Sequence, residues 1–268
     1  RAAGFNLVTG AADDAWLDNA QKNSLHVLAS PGTAAGPTFE PLKARDRIRE
    51  HDSHPALWGW YLIDEPDLHR VPAEQVRQAH RFFKRTGARK PTVVVLYKGN
   101  EAENYGKIAD ITMVDRYPIP WLPLADFPKH MHMARLALGP DEPMIAIIQA
   151  FDWSAWPNLV PGEKNLRPPT ERELRCMTYC ALARGANGLF YYTYSSGKWK
   201  IREHPEIWEP LNRVVAEVNS RMPLFQARRV WWPKNHYFAN RDLRFNEALE
   251  ASVLSVQLRV QKGGAKTP

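Results

Sequence analysis

The sequence predicts an α/β fold, and within that class a (β/α)8 TIM barrel whose first strand is missing or truncated at the N-terminus. Three observations carry this. Short apolar runs rich in Val, Ile and aromatic residues alternate with amphipathic segments, the pattern of a parallel sheet covered by helices. Seven strand-like runs are visible and none is followed by a glycine-rich nucleotide fingerprint or a P-loop, so an open doubly wound sheet is the second choice. The 268 residues, 44% hydrophobic and 24% charged, suit one large barrel with ample core.

In chain order, residues 5–8 form the first visible strand, and 11–23 a helix with Trp16, Leu17 and Ala20 at helical spacing. Residues 25–29 form a second strand, ended by Ser30-Pro31-Gly32, and 41–50 a charged helix. The third strand, 58–65, passes through Trp58 and Trp60 and stops at Asp64-Glu65-Pro66. At least one of those tryptophans is expected in the core. A helix over 72–86 opens on a proline, and 91–97 is a β-branched strand. A short turn over 104–108 leads to the strand 110–115 and the helix 127–138. The strand 143–151 is followed by a tryptophan-bearing loop, 152–169. Thr170 and Glu173 form a capping box for the next helix, which stops at Gly185. Residues 187–194 form the last barrel strand and 206–221 the last helix.

The pattern changes after Met222. The division expected is a barrel domain over 1–222 and an extension over 223–268, with a half-exposed strand at 251–260. Arg1-Ala2-Ala3-Gly4-Phe5 reads as the middle of a domain. The expected location is secreted or periplasmic if a signal peptide precedes residue 1, and cytoplasmic otherwise.

The net charge of +7 comes from scattered basic residues, which read as a solvated surface rather than a nucleic-acid site. No apolar run approaches the roughly 20 residues of a membrane span, so no membrane partner is expected. Cys176 and Cys180, four apart on a helix, read as two buried small residues rather than a disulfide. His26 reads as a core histidine. His130 and His132 read as surface histidines, since two-residue spacing on a helix points them apart. No metal set and no cofactor is expected. The oligomeric state is left open.

In a barrel, sites are built where strands end at the C-terminal rim. The strands deliver Thr9; Ser30; Asp64 and Glu65; Tyr97 and Lys98; Asp115, Arg116 and Tyr117; Gln149, Phe151, Asp152, Trp153 and Trp156; and lastly Tyr192, Tyr194, Lys198 and Trp199. Carboxylates beside aromatic platforms suit a sugar, which offers apolar C–H faces and hydroxyl edges. Glycoside cleavage needs a carboxylic acid to protonate the leaving oxygen and a second carboxylate to attack, stabilise or activate water.

Trp60-Tyr61-Leu62-Ile63-Asp64-Glu65-Pro66 resembles the strand-four motif of the large clan of (β/α)8 glycoside hydrolases (clan A), in which a short apolar strand ends in Asn-Glu-Pro and the Glu is the acid/base. Ala3-Gly4-Phe5-Asn6 is similar to the second-strand signature of those enzymes, and the resemblance spans about the first 220 residues. It implies a carbohydrate-active hydrolase with an oligo- or polysaccharide substrate and Glu65 as general acid. Two positions depart from the pattern. Asp64 replaces the Asn that binds the sugar 2-hydroxyl, and Gln149 stands where retaining members carry the nucleophile Glu at the end of strand seven. The partner carboxylate is therefore expected to be Asp115 or Asp152, with Asp64, Tyr117, Gln149, Trp153, Trp156, Tyr192, Tyr194 and Trp199 binding substrate. The alternative reading is a sugar-binding barrel without catalysis, and after it a non-carbohydrate barrel enzyme or a basic nucleic-acid-binding protein. The bland alternative for Glu65 is an ion pair with Arg116, for Asp115 a turn, and for Asp152 a cap.

Overall fold

The computed structural model describes residues 1–225 and the backbone of Arg228–Trp231 and Gln257–Arg259. Strand and helix alternate: β1 (Leu7–Ala11), α1 (Asp14–Lys22), β2 (His26–Ser30), α2 (Pro41–His51), β3 (Leu57–Ile63), α3 (Ala73–Thr86), β4 (Thr92–Leu96), α4 (Ala102–Tyr105), β5 (Ile111–Arg116), α5 (Asp126–Leu138), β6 (Met144–Gln149), α6 (Glu171–Ala183) and β7 (Gly188–Tyr192). A small antiparallel ribbon, β8 (Ser195–Ser196) and β9 (Trp199–Lys200), leads to α7 (Pro205–Ser220) and α8 (Met222–Phe225).

The seven strands β1 to β7 are parallel and paired in sequence order, forming a curled α/β half-barrel of TIM-barrel type. β1 and β7 are its two edges. Phe5 packs beside that seam, its ring 6.1 Å from Tyr191 and stacked at 6.2 Å on Trp208 of α7.

Each strand is apolar on both faces because each face meets a different core. Toward the lumen, Leu28, Val93, Val95, Met113, Ile145 and Ile147 pack together. Toward the helices lies a larger cluster including Trp60, Phe83, Val94, Leu96, Ala146 and Ile148. Trp60 is wholly buried and its indole N–H donates to Asp52 at 2.9 Å, while Trp58 is half-buried in the lumen.

Several local expectations are corrected. The first strand begins at Leu7 rather than at residue 5, because Gly4 turns the chain at φ +91° with its N–H bonded to Arg1 O. His26 is the exposed first residue of β2, not a core histidine. His132 is buried and His130 half-buried, because α5 is packed against both α4 and α6 and has little free surface on that side. Cys180 is buried but Cys176 is exposed: a step of four residues turns it to the rim of the buried face of α6. Their Sγ atoms are 3.8 Å apart, and both thiols are free.

β10 (Arg228–Trp231) pairs antiparallel with β11 (Gln257–Arg259). The remainder of the strand expected over 251–260 lies outside the described residues. Among the described residues, no helix is long and apolar enough to cross a membrane.

Candidate active site

The strand ends open into a cavity of about 1920 Å³, which runs from the C-terminal mouth into the seam between β1 and β7. Its mouth holds Tyr61, Asp64, Glu65, Asp115, Tyr117, Phe151, Trp153, Trp156 and Tyr192.

Glu65 is aimed by its backbone. β3 ends at Ile63, and Glu65 takes a left-handed turn at φ +41°, unusual for a residue with a side chain. The turn is held on several sides. The Glu65 N–H donates to Val95 O at 3.0 Å, and its carbonyl accepts from the N–H groups of Leu68 and His69 at 3.0 Å each. Asp67 then accepts from the N–H groups of Tyr97 at 3.1 Å and Lys98 at 2.8 Å, tying the end of β3 to the end of β4. This over-determination keeps a strained residue in place.

Asp115 comes from β5, where the two-residue period puts Ile111, Met113, Asp115 and Tyr117 on the lumen side. It is 3% exposed. The Glu65 carboxyl and the Tyr117 hydroxyl are both neighbours of the Asp115 carboxyl. Burial, then the negative charge of Glu65, pushes the Asp115 pKa well up. Burial also raises Glu65, with Asp64 and Asp67 adding to it and the hydrogen bond from Asp115 opposing it. Asp115 Oδ1 is buried with no donor, which a protonated carboxyl tolerates and a carboxylate does not. The pair therefore holds a proton that two separate carboxyls would release. Asp64 is exposed to the cleft, and its Oδ1 accepts from the Tyr61 hydroxyl at 2.6 Å.

A row of rings runs on from Tyr117. Tyr192 stacks between Tyr117 at 5.8 Å and Trp156 at 6.1 Å. Phe151, 1% exposed, meets Tyr117, Trp153, Trp156 and Tyr192 edge-on at 4.9–5.6 Å and fixes the row from below. Burial, then the field of Asp64, Glu65 and Asp115, holds the Tyr192 hydroxyl above its ordinary pKa, while its hydrogen bond with Ser196 opposes this.

Glu65, Asp64, Asp115, Tyr117, Trp153, Trp156 and Tyr192 are thus brought together at the mouth. Tyr194 lines the same cavity but is 57% exposed and packs on Trp208. Three expected residues lie elsewhere. Gln149 shares the lumen side with Ile145 and Ile147 but is wholly buried. Its carbonyl oxygen accepts from Ile119 N at 3.0 Å, and its amide donates to Ile119 O at 2.8 Å and Phe151 O at 3.3 Å. It splints the loop after β5 rather than facing substrate, because that loop folds over the end of β6. Asp152 caps the short 3-10 turn Trp153–Ala155, accepting from Ser154 N at 2.8 Å, and is absent from the cavity wall. Trp199 is 3% exposed and stacked on His204 at 4.0 Å, so it packs the ribbon instead of offering a platform. Arg116 is engaged by Asp126 and lies over the Tyr97 ring at 4.9 Å, which leaves Glu65 without that ion pair.

Two cavity residues, Tyr61 and Trp16, are given no functional role in the sequence reading above. Trp16 is 42% exposed, lines the cavity and lies against Gly10, where a Cβ would meet its indole nitrogen at 1.7 Å. A glycine inside a strand was the available signal. Among the described residues no group of three or more His, Cys, Asp or Glu is disposed to hold a metal ion.

No family model matches the sequence, and a search of curated proteins finds no match. Solved structures do resemble it. A cold-adapted β-galactosidase from Rahnella sp. R3 superposes with a TM-score of 0.62 at 10% identity, over 84% of this chain and 53% of that one. A family-42 β-galactosidase from G. stearothermophilus gives 0.59 at 10% identity, over 81% and 52%. A β-glucuronidase from an uncultured Clostridium sp. gives 0.56 at 11% identity, over 81% and 45%. The chain spans about half the length of these proteins. At such identities the likeness is one of fold: the chain has the TIM-barrel-like α/β architecture that these glycosidases contain.

Proposed function

We propose that this chain is a glycoside hydrolase acting on an oligo- or polysaccharide, with Glu65 as the general acid. The observation that carries this reading is the Glu65–Asp115 carboxyl pair at the barrel mouth, adjoined by the ring row Tyr117–Tyr192–Trp156, which begins beside Asp115. A general acid must hold its proton longer than a free carboxyl does, and burial with the charges of Asp64 and Asp67 raises Glu65 in that direction. The rings give a sugar flat apolar faces, and their π-faces favour the positive charge that develops at the anomeric carbon. Asp115 acts as a positioning residue that keeps the proton available.

The test is Glu65→Gln, assayed on a panel of aryl glycosides and oligosaccharides. Turnover is expected to fall by about 100-fold or more with sugar binding retained. Unchanged hydrolysis ends the assignment. A second reading, a sugar-binding barrel without catalysis, draws on Gln149, whose amide is fully engaged by backbone where a nucleophile would be required. Binding of sugars by the unaltered chain with no product on any substrate would favour it.

A further inference from the structure

Resting on the glycosidase reading, we propose that the site acts on glycosides of 2-acetamido sugars, the substrate's own acetamide serving as the nucleophile and Asp64 orienting it. The cleft walls carry three carboxylates, Asp64, Glu65 and Asp115, all from the ends of β3 and β5. The wall from β6, β7 and the segments after them offers Ala150, Phe151, Trp153, Trp156, Tyr192 and Tyr194, with no carboxylate among the described residues. Glu65 and Asp115 both leave the β3 and β5 strand ends, so neither comes from the wall built by β6 and β7. Displacement at an anomeric carbon still needs an electron pair from the side opposite the leaving group. A sugar with an acetamide at C2 brings one.

Asp64 suits that group. It is exposed to the cleft, and its Oδ1 is held by the Tyr61 hydroxyl at 2.6 Å. Oδ2 has no protein partner among the described residues. A carboxylate only accepts hydrogen bonds, which matches the acetamide N–H and leaves the acetamide carbonyl oxygen free to attack. Asp64 directly precedes Glu65, so one turn of backbone presents both groups to C1 and C2 of the same sugar. The apolar ring wall meets the acetamide methyl.

In the first step the acetamide carbonyl oxygen bonds to C1. The bond from C1 to the leaving oxygen breaks, its electron pair stays on that oxygen, and the oxygen takes the Glu65 proton. The product is an oxazolinium ion, whose N–H charge Asp64 balances. In the second step water attacks C1 and gives a proton to the Glu65 carboxylate. The C1–O bond of the oxazolinium breaks and the acetamide reforms. The sum is hydrolysis with retained configuration, and Glu65 ends protonated as it began.

The experiment compares 4-nitrophenyl β-glycosides of 2-acetamido-2-deoxyglucose, 2-acetamido-2-deoxygalactose, glucose, galactose and glucuronic acid with the full chain. It then repeats the assay with mono-, di- and trifluoroacetamido analogues of the best acetamido substrate. Expected are a kcat/KM at least about 100-fold higher for an acetamido sugar than for its 2-hydroxy counterpart, and a stepwise fall as fluorine weakens the carbonyl nucleophile. Asp64→Asn is expected to lower kcat more than KM rises, with an unchanged circular dichroism spectrum. Faster hydrolysis of 2-hydroxy glycosides, or indifference to fluorination, overturns the inference and leaves the glycosidase reading standing. Absence of turnover on every substrate overturns both.

Discussion

At the level of single residues, Gln149 and Glu65 show how burial decides chemistry. Gln149 sits at the end of β6 with a lumen-side parity, yet its amide is saturated by the backbone of Ile119 and Phe151. Glu65 has a less regular backbone and reaches the cleft. Gln149→Glu is therefore expected not to restore a nucleophile. A carboxylate there would face two carbonyl oxygens that now receive N–H donors, costing about 3 kcal/mol or more in a buried position. Urea denaturation should show that loss, with no gain in hydrolysis. A stable variant with raised turnover would mean that position 149 opens to the cleft.

At the level of elements, the site depends on strand ends that other segments brace. The loop of residues 152–169 carries Trp153 and Trp156 and runs into α6, whose start is fixed by a full capping box. Thr170 Oγ accepts from Glu173 N at 3.3 Å, the Glu173 carboxylate accepts from Thr170 N at 2.8 Å, and Arg167 clasps the same carboxylate at 2.7 and 2.8 Å. The Arg167 hydrogen bonds hold the Glu173 pKa down to about 2. Because the folded value lies below the unfolded one, this support is present above about pH 4.5 and is lost as pH falls toward 2. Thr170→Ala is expected to destabilise the chain by about 1 kcal/mol, a fall in Tm of about 2–4 °C by differential scanning calorimetry. An unchanged Tm would show that the cap is dispensable.

For the whole molecule, the cavity mouth carries a pH-dependent cost in stability. Two strand ends separated by β4 bring Glu65 and Asp115 into contact, and burial raises both pKa values. A raised carboxyl pKa in the folded state runs opposite to Glu173: the penalty is absent below the unfolded value near pH 4 and grows as pH rises through the folded one. Asp115→Asn removes the penalty and keeps an N–H that can donate to Glu65. Its Tm is expected to exceed that of the unaltered chain by about 2–4 °C at pH 8, with the difference vanishing near pH 4. Its activity is expected to lose its alkaline limb at lower pH, because Glu65 alone releases its proton earlier. A pH–rate profile unmoved by the substitution would remove Asp115 from the proton-holding role.

The α/β barrel class, the strand and helix order, the capping box at Thr170 and the placement of Glu65 at a strand tip were legible in the sequence. Each is written in local patterns: the two-residue and 3.6-residue periods, proline and glycine stops, and a cap with its partner three residues on. Glu65, Asp115 and the aromatic residues Tyr117, Trp153, Trp156 and Tyr192 were legible as rim residues for the same reason. Their pairing was not, since contact between the ends of β3 and β5 depends on register across an intervening strand. Nor were the diversion of Gln149 to the Ile119 backbone or the burial of Trp199 on His204, whereas the cap at Asp152 stood as the alternative reading of that residue. Strand parity tells which side of the sheet a residue leaves from. What it meets there, a loop backbone, a ring or open cleft, is set by segments distant in the chain, so only the tertiary structure turned a list of rim residues into a carboxyl pair adjoined by an aromatic row.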